Sequence, residues 1–203
     1  MRSLLVAIGA AAFLAAPAFA QTTAPAGAYA SDRPHTSITW QGLHNGLAWY
    51  TARFTNFDIQ LQFNPADVTK SKVTATIDPK SVETDFARTR PVTDKRDFNE
   101  EVGTSEQWLN GKKFPTITFA STSITKTGEA SGKMTGNLTF LGVTKPVTLD
   151  VSYVGNRPDP RTGKHKVGFQ VSGSFKRSEW GMPIGGPVGD EIRIQINTEM
   201  LQK

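Results

Sequence analysis

The stretch GNLTFLGVTKPVTLDVSYV, Gly136 to Val154, reads as a hairpin with a period of two. Leu138 and Phe140 alternate with Asn137 and Thr139. After Gly-Val-Thr-Lys-Pro the alternation resumes, setting Val147, Leu149, Val151 and Tyr153 against Thr148, Asp150 and Ser152. One face is apolar and the other polar, as in an antiparallel sheet with a core on one side. Whether that face packs solid or lines a space is the functional question.

The same alternation extends in both directions. SITW puts Ile38 and Trp40 on one face, and LAWYTARF sets Leu47 and Trp49 against Tyr50 and Phe54. FDIQLQF sets Phe57, Ile59, Leu61 and Phe63 against Asp58, Gln60 and Gln62, and Asn64-Pro65 ends it. Val73, Ala75 and Ile77 alternate in KVTATIDP. TITFAS, HKVGFQVSGSF and DEIRIQINTEM continue the pattern toward the C-terminus. About nine short strands of this kind predict an all-β, largely antiparallel domain. A barrel of about eight strands is wide enough for one small ligand, whereas a sandwich packs its inner faces solid. The alternation admits both.

Residues 79–114 break the period. Thr104 with Gln107 resembles a capping box ahead of EQWLN, with Gly111 as the C-terminal cap. A long excursion inside a β-domain is usually functional or a plug over a core. GMPIGGPVGD, Gly181 to Asp190, lacks the Lys-Ser/Thr of a phosphate loop and reads as a wide turn between strands.

The first twenty residues, MRSLLVAIGAAAFLAAPAFA, carry one charge at Arg2, an apolar run and an Ala18-Phe19-Ala20 ending. This predicts a signal peptide cleaved after Ala20 and a protein exported to the periplasm. Residues 21–34, small and Pro-rich, predict a flexible leader, and 35–203 a single domain. There is no cysteine, which excludes a disulfide framework, a thiol nucleophile and a lipoprotein anchor. Net charge is +5, falling to +4 without Arg2. That mild basicity suits solubility, and also a transient contact with anionic membrane surfaces. No basic run with interleaved aromatics marks a nucleic-acid binder.

Catalytic signatures are lacking: the sequence holds no H-E-x-x-H, G-x-S-x-G or Walker loop. His35, His44 and His165 have no metal-ligand spacing. His44 sits beside a turn, where it either contacts a head group or does nothing. Arg88, Arg90, Lys95 and Arg96 cluster with Asp85, Asp94 and Asp97. They fit either an anion clamp or a solvated mixed-charge loop. Lys176-Arg177 admits the same two readings. Trp40, Trp49, Phe57, Phe63, Phe119, Phe140, Phe169 and Phe175 occupy expected inward positions on different strands. Such residues either fill a small core or wall an apolar tunnel.

Five segments together resemble the YceI-like family. They are HTSITWQGLHNGLAWYTARFTNFDIQLQFNP, KVTATIDPKSVETDFARTRPVTDKRDF, FPTITFASTSI, the opening hairpin, and VGFQVSGSFKRSEWGM with VGDEIRIQINTE. The resemblance covers about residues 35–200. It implies a lipocalin-like antiparallel barrel that holds a polyisoprenoid, either a prenyl quinone precursor or a prenyl pyrophosphate. No cofactor is implied. By that resemblance the eight aromatics form the tail tunnel, and residues 79–114 become a helical flap over its mouth. His44, Arg90, Arg96, Trp108 and Arg177 are then the candidates for the head group. Trp108-Leu109 stands where relatives carry a Phe pair, and no histidine accompanies it. The expectation is a periplasmic, non-enzymatic lipid-binding barrel, with a homodimer admitted. An enzyme acting on a prenyl lipid and a solid-cored interaction module are the alternatives.

Overall fold

The computed structural model describes residues 24–203. The expected signal segment, with residues 21–23, lies outside the described residues. In chain order the elements are β1 (Gly27–His44), β2 (Ala48–Phe54), β3 (Phe57–Phe63), β4 (Lys72–Ile77), β5 (Val82–Thr84), α1 (Phe86–Thr89) and α2 (Phe98–Thr104). Next come β6 (Ile117–Lys126), β7 (Ser131–Phe140), β8 (Val143–Pro158), β9 (His165–Lys176) and β10 (Val188–Gln202).

Eight antiparallel strands close a barrel in the order β1-β3-β4-β6-β7-β8-β9-β10, and β10 pairs back to β1. Closure leaves no free edge in that ring. Long β1 makes this possible by changing partners. Gly27–Ala30 pairs with β3, while Ile38–His44 pairs with β2, which in turn pairs with short β5. All-β barrel architecture is therefore as expected, and the sandwich is excluded.

The opening hairpin forms with a tighter turn than the sequence suggested. Leu141 (φ 48°) and Gly142 (φ 77°) make a two-residue turn, and pairing resumes at once with Phe140 opposite Val143. Both central residues at positive φ match the twist of the strands, and glycine adopts that backbone without strain. Residues 143–146 are thus strand rather than an interruption.

Two other expectations are corrected. Residues 27–34 of the expected flexible leader belong to β1, and Tyr29 is completely buried, its hydroxyl donating to the Pro25 carbonyl. Small residues there allow close packing against β3 and β10. The helix of the excursion precedes Thr104 rather than following it. Asp97 caps α2 by accepting from the Glu100 N–H, with Glu100 and Glu101 in the positive first turn. Thr104 Oγ1 is spent on the Glu100 carbonyl, so it closes that helix and starts none.

The strand directions give the barrel two different ends. One holds the β1–β2, β7–β8 and β9–β10 connections and residues 78–116. It is capped: Trp180 is buried, donating from Nε1 to the Leu138 carbonyl at 3.2 Å and packing edge-on to Phe175. Val102 and Leu109 of the excursion and Met182 of the β9–β10 connection are buried beside it. The other end holds the β3–β4, β6–β7 and β8–β9 connections.

Candidate functional site

The inward faces of the barrel do not meet. They surround a cavity of about 480 Å³, within the usual range for ligand sites. The opening hairpin contributes a full wall, as Leu138, Phe140, Val147, Leu149, Val151 and Tyr153 all line it. Period two puts them there, since alternate side chains of a strand share a face. From β1, β3, β4 and β6 come Trp40, Phe63, Ala75 and Phe119, and from β9 Phe169 and Phe175. A chain of packed rings stiffens one side: Tyr29 edge-on to Phe63 at 6.0 Å, Phe63 edge-on to Phe169 at 6.0 Å, and Phe169 tilted against Tyr153 at 5.5 Å.

Gly136 shows how tightly that wall is fitted. A Cβ there would lie 2.3 Å from the Phe119 ring, so only glycine lets Phe119 cross the face of β7.

The structure sorts the expected tunnel residues. Trp40, Phe63, Phe119, Phe140, Phe169 and Phe175 line the cavity. Trp49 does not. Tyr50, Ala52 and Phe54 share the parity that turns inward on β2, and Trp49 falls on the outer face. There the Arg193 guanidinium covers its ring at 3.6 Å. Phe57 is buried in solid core without touching the cavity, because its end of β3 pairs with Ile77 beneath the capped end.

The expected head-group residues are not brought together. His44 is exposed beside the β1–β2 turn, tilted against Tyr50 at 6.5 Å. Arg96 is exposed and bound to Asp94 at 2.7 Å, holding that carboxyl down at about 2. Arg90 donates to the Arg96 carbonyl, so the arginine loop is bonded within itself. Trp108 and Arg177 do line the cavity, but at its capped end. Arg177 is buried and gives Nε to the Gly189 carbonyl (3.0 Å) and Nη2 to Val188 (2.7 Å). Burial pushes its guanidinium below its usual value, with Asp190 opposing. It locks the β9–β10 connection.

The opening lies at the other end. Among the described residues, every exposed one of the cavity lining, Thr125, Lys126, Glu129, Ala130 and Ser131, belongs to the β6–β7 hairpin. The excursion is a plug, not a flap over the mouth. Charge on the lining is sparse: Lys126 and Glu129 at the rim and Arg177 at the far end. Beside the rim Asn156 Nδ2 donates to the Tyr153 hydroxyl at 2.6 Å, both residues lining the cavity. The alternating pattern marked Tyr153 as inward, but its polar tip and the position of the mouth depend on strand pairing. The Trp40 indole N–H is buried without an acceptor among the described residues.

Asp32, His35 and Glu199 lie close enough to be considered as metal ligands. Lys166 already occupies the two carboxylates, 2.7 Å from Asp32 and 3.2 Å from Glu199, so an ammonium fills that place.

Residues 29–200 match the model of the YceI-like domain. The protein YceI of Salmonella arizonae is 34% identical over 193 residues, covering 94% of this chain and 95% of its own. Among solved structures, Burkholderia cenocepacia BcnA superposes with a TM-score of 0.69 at 24% identity, covering 83% of this chain and 98% of its own. Campylobacter jejuni YceI gives 0.64 at 28% identity over 75% of this chain and 84% of its own. A polyisoprenoid-binding domain of Saccharophagus degradans, implicated in plant cell wall breakdown, shares the fold at 0.60 and 12% identity. It covers 86% of this chain and 98% of its own.

Proposed function

The chain belongs to the YceI-like domain family, and from that premise we propose that it binds a polyisoprenoid lipid and does not act as an enzyme. The single observation that carries this reading is the apolar cavity of about 480 Å³, walled by aromatic and aliphatic side chains along its length. A prenyl chain is long, apolar and carries a methyl branch on every isoprene unit, which suits a stiff, deep slot better than a flat patch. The fold neighbour from Saccharophagus degradans, which is a polyisoprenoid-binding domain, supports the ligand class.

The energetics favour the tail as the main source of affinity. Burying about 500 Å² of prenyl surface contributes on the order of 12 kcal/mol gross at about 25 cal/mol per Å². Association and ordering offset several kcal/mol of that. A head group then selects among lipids more than it anchors them.

The proposal extends to place and role. The pattern of the first twenty residues supports export to the periplasm. There the protein would carry or store a prenyl quinone precursor or a prenyl pyrophosphate, with brief contact at a membrane surface when loading. The lipid is the ligand, and no cofactor is invoked.

The test is native mass spectrometry of the protein isolated from the periplasm of its own host, followed by extraction and identification of whatever it holds. One prenyl lipid per chain is expected. A ligand-free mass that stays unchanged on adding prenyl lipids would overturn the reading.

A further inference from the structure

The rim of the cavity carries a polar device that the apolar walls do not need. Tyr153 stands on β8 beside the β6–β7 hairpin, its backbone N–H donating to the Ala130 carbonyl at 2.8 Å. Its ring packs inward on Phe169 at 5.5 Å. The hydroxyl accepts from Asn156 Nδ2 at 2.6 Å. A phenol that accepts one hydrogen bond still has its own proton to give. Among the described residues no acceptor takes that proton.

Several other polar groups of the lining have partners of their own. Ser71 Oγ accepts from the Asn64 N–H, and Thr198 Oγ1 lies 2.9 Å from Thr36 Oγ1. Arg177 gives Nε and Nη2 to two carbonyls at the capped end. The Trp40 indole N–H in the wall has no acceptor among the described residues, whereas the Tyr153 hydroxyl stands at the mouth, where a lipid entering tail-first would leave its head.

We propose that the Tyr153 hydroxyl, held by Asn156 at the β6–β7 rim, donates a hydrogen bond to an oxygen on the head group of the bound lipid. The tail then runs from this rim toward Trp108 at the capped end. This rests on the lipid-binding reading above and gives it a direction. The ligand chemistry is an oxygen acceptor next to a prenyl tail, as found in a quinone carbonyl or in a diphosphate. Lys126 at the same rim adds attraction for the second, and Glu129 opposes it.

The experiment compares wild type, Tyr153→Phe, and a capped-end control, His44→Ala with Arg96→Ala. Each is titrated by native mass spectrometry with three ligands: a tetraprenyl benzoquinone, geranylgeranyl diphosphate, and squalene, which has a prenyl body and no head. Phenylalanine keeps the ring packing and removes only the hydroxyl. Tyr153→Phe is expected to bind at least one headed ligand about fivefold more weakly, as one lost hydrogen bond implies, and squalene as wild type does. The control is expected to match wild type. The ligand that weakens identifies the head: the quinone alone means a carbonyl, the diphosphate alone a phosphate oxygen. Equal losses for all three ligands, no loss for any, or a head-dependent loss in the control would overturn the proposal. Failure of wild type to bind any of the three would instead overturn the lipid-binding reading itself.

Discussion

Lys166 Nζ lies 2.7 Å from Asp32 Oδ2 and binds strands β9 and β1 together at the open end of the barrel. Asp32 reaches it because the pairing of β1 with β10 slips between Ser31 and Thr36, looping Asp32–His35 out of register. Glu199 at 3.2 Å and Asp159 at 3.5 Å complete the surround. Lys166 and Asp159 are both buried.

Lys166→Met leaves these carboxylates facing one another with no cation between them. Removing one partner of a buried ion cluster costs more than the pair is worth. Stability should fall by on the order of 2 kcal/mol, less than for a fully enclosed pair because Glu199 is partly exposed. Urea denaturation checks this, and an unchanged midpoint would mean that water already screens the cluster.

The same cluster sets a pH window. The hydrogen bond from Lys166 holds the Asp32 carboxyl below its ordinary 3.8, against burial, which pushes it up. A depressed carboxyl contributes stability above its unfolded value and loses it as pH falls through the folded one. Lys166 is raised above 10.5 by its bond to Asp32, so its contribution is full below that value and lost as pH rises past the folded one. Thermal melts should therefore be flat in this contribution between about pH 4 and pH 10. They should fall on both sides, and Lys166→Met should remove the alkaline fall.

Gly136→Val should be among the more damaging single changes in the barrel wall. Its Cβ would meet the Phe119 ring and the Ala120 carbonyl at 2.3 and 2.6 Å, and both are fixed by pairing of β6 with β7. Overpacking of this kind costs about 1–3 kcal/mol. Thermal denaturation reads the loss, and a stability equal to wild type would show that Phe119 can swing into the cavity.

Ala75→Phe should shorten the ligand the protein accepts. Ala75 is a small residue on the lining, so a ring there has empty space to enter. Tetraprenyl and longer tails should bind more weakly while shorter ones keep their affinity, as measured by competition titration. A uniform loss across tail lengths would argue that the tail does not pass this point.

Trp49→Ala should separate stability from binding. The Arg193 guanidinium sits 3.6 Å from the Trp49 ring centroid, on the outside of the wall. Losing that stack should cost about 1 kcal/mol, and lipid titration should give the wild-type curve. Weakened binding with intact folding would put Trp49 back in the tunnel.

Much of the fold is legible in alternation. Leu138, Phe140, Val147, Leu149, Val151 and Tyr153 all reach the cavity, because a paired strand has only two faces and one must leave water. Where two apolar residues of opposite parity adjoin, alternation gives no decision. Trp49 and Tyr50 are such a pair, and β1 and β5 pairing, not composition, turned Tyr50 inward. The leader misled for a different reason: small residues look unstructured alone, yet between two strands they pack closely. The arginine loop admitted an anion clamp as well as a solvated loop because sequence shows charges and not their partners. Asp94 and the loop's own carbonyls had already taken Arg96 and Arg90.

By itself the sequence determined an antiparallel all-β domain with one apolar face per strand, since side-chain period two is a local property of an extended chain. It also determined family membership, carried by short motifs along the whole domain. Only the tertiary structure decided that the sheet closes, that the interior stays hollow, and which end opens. Closure depends on β1 pairing with β10 across more than 150 residues, as in Ile38 opposite Ile196. The hollow depends on whether ring volumes fill the ring of strands, and the opening on residues 78–116 plugging one end while the β6–β7 hairpin leaves the other uncovered. Each is a sum over distant contacts, and no local pattern encodes it.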